Sequence, residues 1–426
     1  MKEKASAIML ILLLATLLLG ALEIQRIEAE PTTWVVDDDG HKDFRVIQEA
    51  VNIAQQGDTV FVCNGTYHEH VVINKSISLI GEDRSTTVID GSNVGTVVLV
   101  TADNVIVKGV AVRNGRSGIV VSDSYNCSIE DNLVEDNSYQ GIFVNKSWNC
   151  TVSGNHAVGT KSGYGINVNA SKNVLVEKNG ATGNYFDGIG LLYSNDSVVQ
   201  GNTVNGNHLI GIWIDQSYGN IMYNNNFFNN GIQVRSNTPI NAWDYGAEGN
   251  YWGDYAGVDA DGDGIGDEPY IVDKETQQQD NHPLIRPYVN EIYLSIDTEP
   301  PVAFFTYFLE EIFVNETMSF NASSSYDSVG KHAIVRYDWE FGDGTIKNTT
   351  NPVTNHAYFS PGNYTVVLTV VDVAGNKGYA LANIQVQLEN VTDKQLFPAL
   401  EILILVIILS AIIFALWVWK TGKLSH

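Results

Sequence analysis

The sequence predicts an all-β chain: a parallel β-helix, then a small β-sandwich, then one membrane-spanning helix at the C-terminus. Three observations carry this reading. A segment that opens with Asn (once Asp) and an alternating Val/Ile run recurs every 22 to 24 residues between Asn104 and Asn220. Beyond Glu299 the pattern changes to alternating strands separated by Gly, Pro, Asn and Asp. Near the end, Ile402 to Trp419 carries no charged residue.

The two ends set the compartment. Lys2 and Lys4 precede an apolar run from Ile8 to Leu19 that closes on Gly20 and Ala21. This is the order of a secretory signal, read over 1–29 with cleavage near Ala21 or Ala29; an uncleaved N-terminal anchor is the alternative. The C-terminal run holds Trp417 and Trp419 at an interface position and is followed by Lys420 and Lys423. That pattern reads as a span over 398–419 with 420–426 as a cytoplasmic tail. The chain is therefore expected at the cell surface, with its bulk outside and its C-terminus inside. A formal charge of −25 would repel a phosphate backbone, which argues against nucleic acid as a partner. Asn-x-Ser/Thr sequons at Asn64, Asn126, Asn149, Asn169, Asn195, Asn321 and Asn363, among others, are compatible with a glycoprotein.

Phe44 to Ala54 (FRVIQEAVNIA) has apolar residues at helical spacing and stops before Gln56-Gly57-Asp58. A β-helix leaves an unpaired end, and a short helix laid across it would cover that edge. The coils follow. Repeats start at Asn104, Asn126, Asn149, Asn173, Asp196 and Asn220, and a second strand follows Gly118, Gly141, Gly165, Gly188 and Gly211. A unit of this length cannot bury its apolar face alone and must stack on its neighbours. Short strands of period two point Val and Ile inward, and Asn and Gly serve the turns because they tolerate left-handed backbone. Asparagines at equivalent turns can hydrogen-bond from coil to coil. Cys127 and Cys150 fall at the same place in adjacent coils, as two stacked thiols or as a disulfide.

Asp259, Asp261, Asp263 and Asp267 stand at positions 1, 3, 5 and 9 of an acidic loop, with Gly264 at 6 and the Ile265 carbonyl at 7. This is how a short loop wraps Ca2+ in oxygen ligands. Tyr270 replaces the usual bidentate Glu, so a further ligand is expected from elsewhere, such as Asp273, or from water; a solvated acidic turn is the alternative. A structural ion here would pin a C-terminal cap made by Trp243, Tyr251, Trp252 and Tyr255. The same four aromatics could instead form a sugar-stacking platform.

The stretch WVVDDDGHKDFRVIQEAVNIAQQGDTVFVCNGTYHEHVVINKSISLIGE (34–82) resembles the opening of right-handed parallel β-helix proteins of the carbohydrate-binding and sugar-hydrolase group. The close, GNYWGDYAGVDADGDGIGDEPYIVD, is similar to that of the NosD-like family of exported β-helix proteins. The likeness covers 34–288 and implies the right-handed fold, with function argued separately. Pectate lyases, polygalacturonases and pectin esterases share that fold, so a polysaccharide lyase or hydrolase is one hypothesis. It needs carboxylates gathered near one coil surface. The weak candidates are Asp187, His208 and Asp215; Asp187 and Asp215 are 28 residues apart, not a whole number of coils, and Asp187-Gly188 is also a turn signal. Copper handling, which the NosD name suggests, is not carried over: the chain has four methionines and dispersed histidines.

From Pro300 the runs Trp339-Glu-Phe-Gly-Asp343-Gly344-Thr, His356-Ala-Tyr358 and Pro361-Gly-Asn-Tyr-Thr-Val-Val-Leu-Thr-Val-Val-Asp372 mark a β-sandwich over 299–388. They resemble the polycystic kidney disease (PKD) domain, an immunoglobulin-like module. The resemblance implies a spacer or adhesion role, with Trp339 in the core and Asp343-Gly344 in a turn. A tether over 389–397 leads to the span. The expected whole is a membrane-anchored surface protein whose β-helix binds polysaccharide or another cell-envelope component.

Overall fold

The computed structural model describes residues 9, 30–308, 312–329, 333–388 and 396–422, with side chains of the last segment placed over 401–417. The expected signal peptide, apart from Met9, and most of the tether lie outside the described residues. The chain divides into two compact units, Met1–Leu284 and Ile285–His426.

In the first unit the coils between the two ends contribute one short strand to each of three parallel sheets, of nine, nine and eight strands. Sheet one runs from Thr33–Val36 to Ile221–Tyr223, sheet two from Gly65–Tyr67 to Tyr251–Trp252, and sheet three from Val71–Ile73 to Ile232–Ser236. Successive coils stay in register, as in Ile119↔Ile142 and Ile189↔Ile212. Inward residues such as Val107, Ile129, Val152, Val176 and Val199 are fully buried and make one continuous core. The glycines that open the strands of sheet three have a specific reason: a Cβ on Gly141 would sit 2.4 Å from the Gly165 carbonyl oxygen of the next coil.

The repeat-marking residues Asn104, Asn126, Asn149, Asn173 and Asp196 all adopt φ between 53° and 57°, the left-handed turn expected of them. The main buried ladder is built by other asparagines. Asn132, Asn155, Asn179, Asn202, Asn225 and Asn250 are each fully buried, and each Nδ2 donates to the Oδ1 of the next at 2.9–3.0 Å. The ladder ends on a carboxylate: Asp280 accepts from the Asn250 amide N at 2.7 Å, from Asn250 Nδ2 and from Trp252 Nε1 at 2.9 Å. Burial pushes the Asp280 carboxyl up to about 6 against the pull of these donors. Cys127 and Cys150 are free and buried in adjacent coils, with Cys127 Sγ donating to the Ala102 carbonyl at 3.2 Å and Cys150 Sγ to the Trp148 carbonyl at 3.5 Å.

Helix α1 (Ile47–Ile53) packs Ile47, Ala50 and Val51 onto the open end of the stack. Its termini are held by the coil beneath. The Glu69 carboxylate accepts from the Ile47 and Gln48 amides at 2.8 and 2.9 Å, and Lys75 Nζ donates to the carbonyls of Val51, Asn52 and Ala54. An anion at the N-terminus and a cation at the C-terminus both complement the helix dipole.

In the second unit, helix α2 (Glu291–Ile296) precedes a sandwich of a three-stranded and a five-stranded sheet. Its core gathers Phe320, Trp339, Phe341, Tyr358, Val366 and Leu368, with Trp339 fully buried. Gly344 at φ 90° makes the expected turn, and Asp343 bonds His356 Nε2 at 2.8 Å. Helix α3 (Leu396–Gly422) carries the apolar run. Among the described residues no helix is long and apolar enough to cross a membrane. The expected span therefore gains no support here.

Candidate functional site

Strand pairing fixes which residues share the outer face of sheet three. One row runs Val120, Phe143, Asn167, Gly190, Trp213 and Arg235, one residue per coil. Beside it lie Gln140, Tyr164 and Asp187, since the Gly141 amide bonds the Tyr164 carbonyl and the Gly165 amide bonds that of Asp187. The turns that flank the sheet carry exposed aromatics on both sides: Tyr139, Tyr185 and Phe186 before it, and Tyr125, Trp148 and Tyr218 after it. Arg116 lies 5.5 Å over the Tyr139 ring, and Tyr185 stacks on His208 at 5.1 Å. Exposed aromatic rings recurring at coil spacing are a signal present in the sequence, Tyr125 and Trp148 being 23 residues apart.

At the centre, Tyr164 and Trp213 stack at 6.4 Å and 20°. The gap between their coils is filled by Gly190, where a Cβ would come within 2.9 Å of two Tyr164 ring carbons and 3.5 Å of Asn167 Oδ1. Asn167 Oδ1, Trp213 Nε1 and Gln140 Oε1 are all buried without a hydrogen-bond partner. Such an atom costs about 1–3 kcal/mol, so three on one face of a ladder-stabilised fold call for a cause. Burial, then the charge of Asp187, pushes the Tyr164 phenol above its ordinary range. Burial likewise raises the Asp187 carboxyl to about 6, opposed by the Ile210 amide at 3.1 Å and by the charge of Arg235.

The predicted catalytic trio does not converge. Asp187 is in register with Ile210, and Asp215 lies five residues further along that strand, roughly 16 Å away at 3.3 Å per residue. Paired glycosidase carboxylates sit about 5–9.5 Å apart. His208 is exposed on the turn, whereas Asp187 is buried. Nor do the four cap aromatics make a sugar platform. Trp243, Tyr251 and Trp252 are buried, and Trp252 is sandwiched between Phe227 at 4.8 Å and Tyr270 at 4.3 Å. Tyr255 is half-buried and donates its hydroxyl to the Glu268 carbonyl at 2.5 Å. Trp243, Tyr251 and Trp252 thus close the apolar core, with Tyr255 packed against its edge.

In the acidic loop, carboxylate oxygens of Asp259, Asp261 and Asp263 lie within 4.8 Å of one another. Asp259 also accepts from the amides of Gly262, Asp263 and Gly264, which folds the loop around it. Asp267 is turned to the Ala260 amide, and the Ile265 amide donates to Asp263 Oδ1 at 2.8 Å. Asp273 does not join this cluster: its Oδ1 accepts from the Thr276 amide and hydroxyl at 2.6 Å within the hairpin Tyr270–Asp273/Gln278–Asp280.

Residues 51–257 match the family model described as periplasmic copper-binding protein (NosD), and residues 298–387 match that of the PKD domain. Collagenase ColA of Bacillus cereus is 35% identical over 81 residues, covering 19% of this chain and 8% of that protein. A cell surface glycoprotein of Methanothermus fervidus is 26% identical over 138 residues, covering 31% of this chain and 21% of its own length. The chain thus spans a small part of these curated relatives. Among solved structures, the PKD1 domain of the Vibrio cholerae metalloprotease PrtV is 30% identical, covering 21% of this chain and 99% of that one, at a TM-score of 0.18.

Proposed function

We propose, from a chain that joins a NosD-type parallel β-helix to a PKD domain, a surface protein that holds an extended saccharide along the outer face of sheet three. The observation that carries this is the aromatic face: exposed rings flank it on both sides, and Tyr164 and Trp213 occupy its centre. Neighbouring coils are about 4.8 Å apart, so successive rings can meet successive sugar units through their apolar faces. The PKD domain serves as spacer or adhesion module. A location outside the cytoplasm accords with the periplasmic family description and with the surface glycoprotein among the relatives. Helix α3 is the anchor in this reading, supported by the uncharged run Ile402 to Trp419 and the lysines beyond it. Ca2+ in the Asp259–Asp267 loop is its structural ion, with Asp259, Asp261 and Asp263 as the converging ligands, completed by the Ile265 carbonyl and Asp267.

A membrane-tethered lyase or hydrolase is the second reading. One observation favours it, the Asp187 carboxyl raised to about 6 on the same face, a value suited to a general acid. The test is to present full-length protein in detergent micelles to neutral and acidic polysaccharides, with and without Ca2+, and to follow retention and product release. Retention without products is the expected result, and deleting 396–426 should free the protein from membranes. Product release would establish the enzyme instead, and no retention on any glycan would end the carbohydrate reading.

A further inference from the structure

We infer that Tyr164 is a displaceable lid over a preformed subsite for one pyranose ring, walled by Trp213, floored by Gly190 and lined by Asn167; the inference rests on the carbohydrate reading of this face. Gly190 is the position in the central row that has no side chain, between Asn167 of one coil and Trp213 of the next. The Tyr164 ring lies in the berth this creates. Without the ring, the berth is a flat slot about one coil high with an indole along one side.

The polar atoms on this face are set for something other than a phenyl ring. Asn167 Oδ1 is an acceptor and Trp213 Nε1 a donor; both are buried and both lack a partner. Asn167 is only 4% exposed. An aromatic ring covering them removes water and returns no hydrogen bond. A sugar hydroxyl does the opposite: it donates to an amide oxygen and accepts from an indole N–H while the apolar face of the sugar packs on the ring. Gln140 Oε1, buried and unpartnered in the adjoining row, is a second acceptor for a neighbouring hydroxyl.

The chain also provides the slack a lid needs. Gly141 to Gly165 is 24 residues, whereas Gly118 to Gly141 and Gly165 to Gly188 are 23 each. The extra residue falls in the turn that delivers Tyr164, which stands between Gly163 and Gly165. Backbone with a glycine on either side can swing the ring out while the strand Ile166–Asn169 keeps its pairing.

The test measures affinity for cellohexaose, chitohexaose and a galacturonate hexamer with the full-length protein and four variants. Tyr164→Ala uncovers the slot; adding Gly190→Ala to it puts a methyl group on the floor of the slot. If the lid is open about one-tenth of the time, Tyr164→Ala should tighten binding of the retained hexamer about tenfold, and the added Gly190→Ala should cancel the gain. Trp213→Phe keeps a ring but deletes the N–H, and should weaken binding both alone and combined with Tyr164→Ala. A weaker or unchanged affinity in Tyr164→Ala, with wild-type binding intact, overturns the lid and leaves the carbohydrate reading standing. Binding by neither the wild type nor any variant overturns both. Binding by Tyr164→Ala alone supports both.

Discussion

Asp297, Asp327 and Asp372 are buried together in the second unit. Asp297 is held by the Tyr293 hydroxyl at 2.6 Å and Asp372 by Asn376, but Asp327 has one oxygen on the Val329 amide and the other buried without a partner among the described residues. Burial pushes the Asp327 carboxyl up to about 6, reinforced by the negative charges of Asp297 and Asp372 and opposed by the Val329 amide. The folded value exceeds the unfolded one near 3.8, so the native state binds the extra proton between them. The sandwich should therefore be most stable below about pH 4 with respect to this group, and should lose stability as pH rises through 6. The loss is on the order of 3 kcal/mol for a shift of this size. Asp327→Asn should raise the unfolding midpoint at pH 7 and flatten its dependence between pH 4 and 7, followed by near-ultraviolet circular dichroism through Trp339. An unchanged pH profile in the variant would show that Asp327 is not the group responsible.

Helix α1 shows how much of an element depends on coils that the sequence does not reveal. Its existence is visible in the 3.6-residue spacing of Phe44–Ala54, of which the helix takes only Ile47–Ile53 while Phe44 pairs with Val36, and its role as an end cap follows from the need to cover an open sheet. Its two partners are not visible, because Glu69 and Lys75 are more than 20 residues away and meet it only once the first coil has closed. Lys75→Met should strip three carbonyls of their donor and cost roughly 1–2 kcal/mol. Urea unfolding of the first unit should show this, and Glu69→Gln should cost less because one amide acceptor oxygen remains. A midpoint unmoved by Lys75→Met would mean that water replaces the ammonium without loss. The same limit explains the functional face. Trp243, Tyr251 and Trp252 are an aromatic cluster in sequence and look like a sugar platform, yet strand register turns them into the core. Tyr164 and Trp213 are 49 residues apart and meet only because two coils separate them. Composition identifies rings; register decides which side of the sheet they occupy.

At the scale of the whole molecule, the order of modules was legible because repeat length, alternation and turn residues agree for each of them. The acidic loop sits where the solenoid closes, so an ion bound there would stabilise the first unit and leave the second unmoved. Ca2+ at about 100 times its dissociation constant should contribute about 2.7 kcal/mol. For a domain of this size that is a rise of roughly 5–10 °C in the first melting transition, reversed by chelator and absent in Asp259→Asn/Asp261→Asn. A chelator-insensitive transition would mark the loop as a solvated turn. The asparagine ladder has a consequence of its own. All its amides donate in one direction, toward the C-terminal end, so their dipoles add like those of a helix, and Asp280 places an anion at the positive pole. Such a row is indifferent to its own length. Coils can be gained or lost upstream in whole steps without altering the terminus, and a binding face could grow or shrink one sugar at a time on an unchanged closing device.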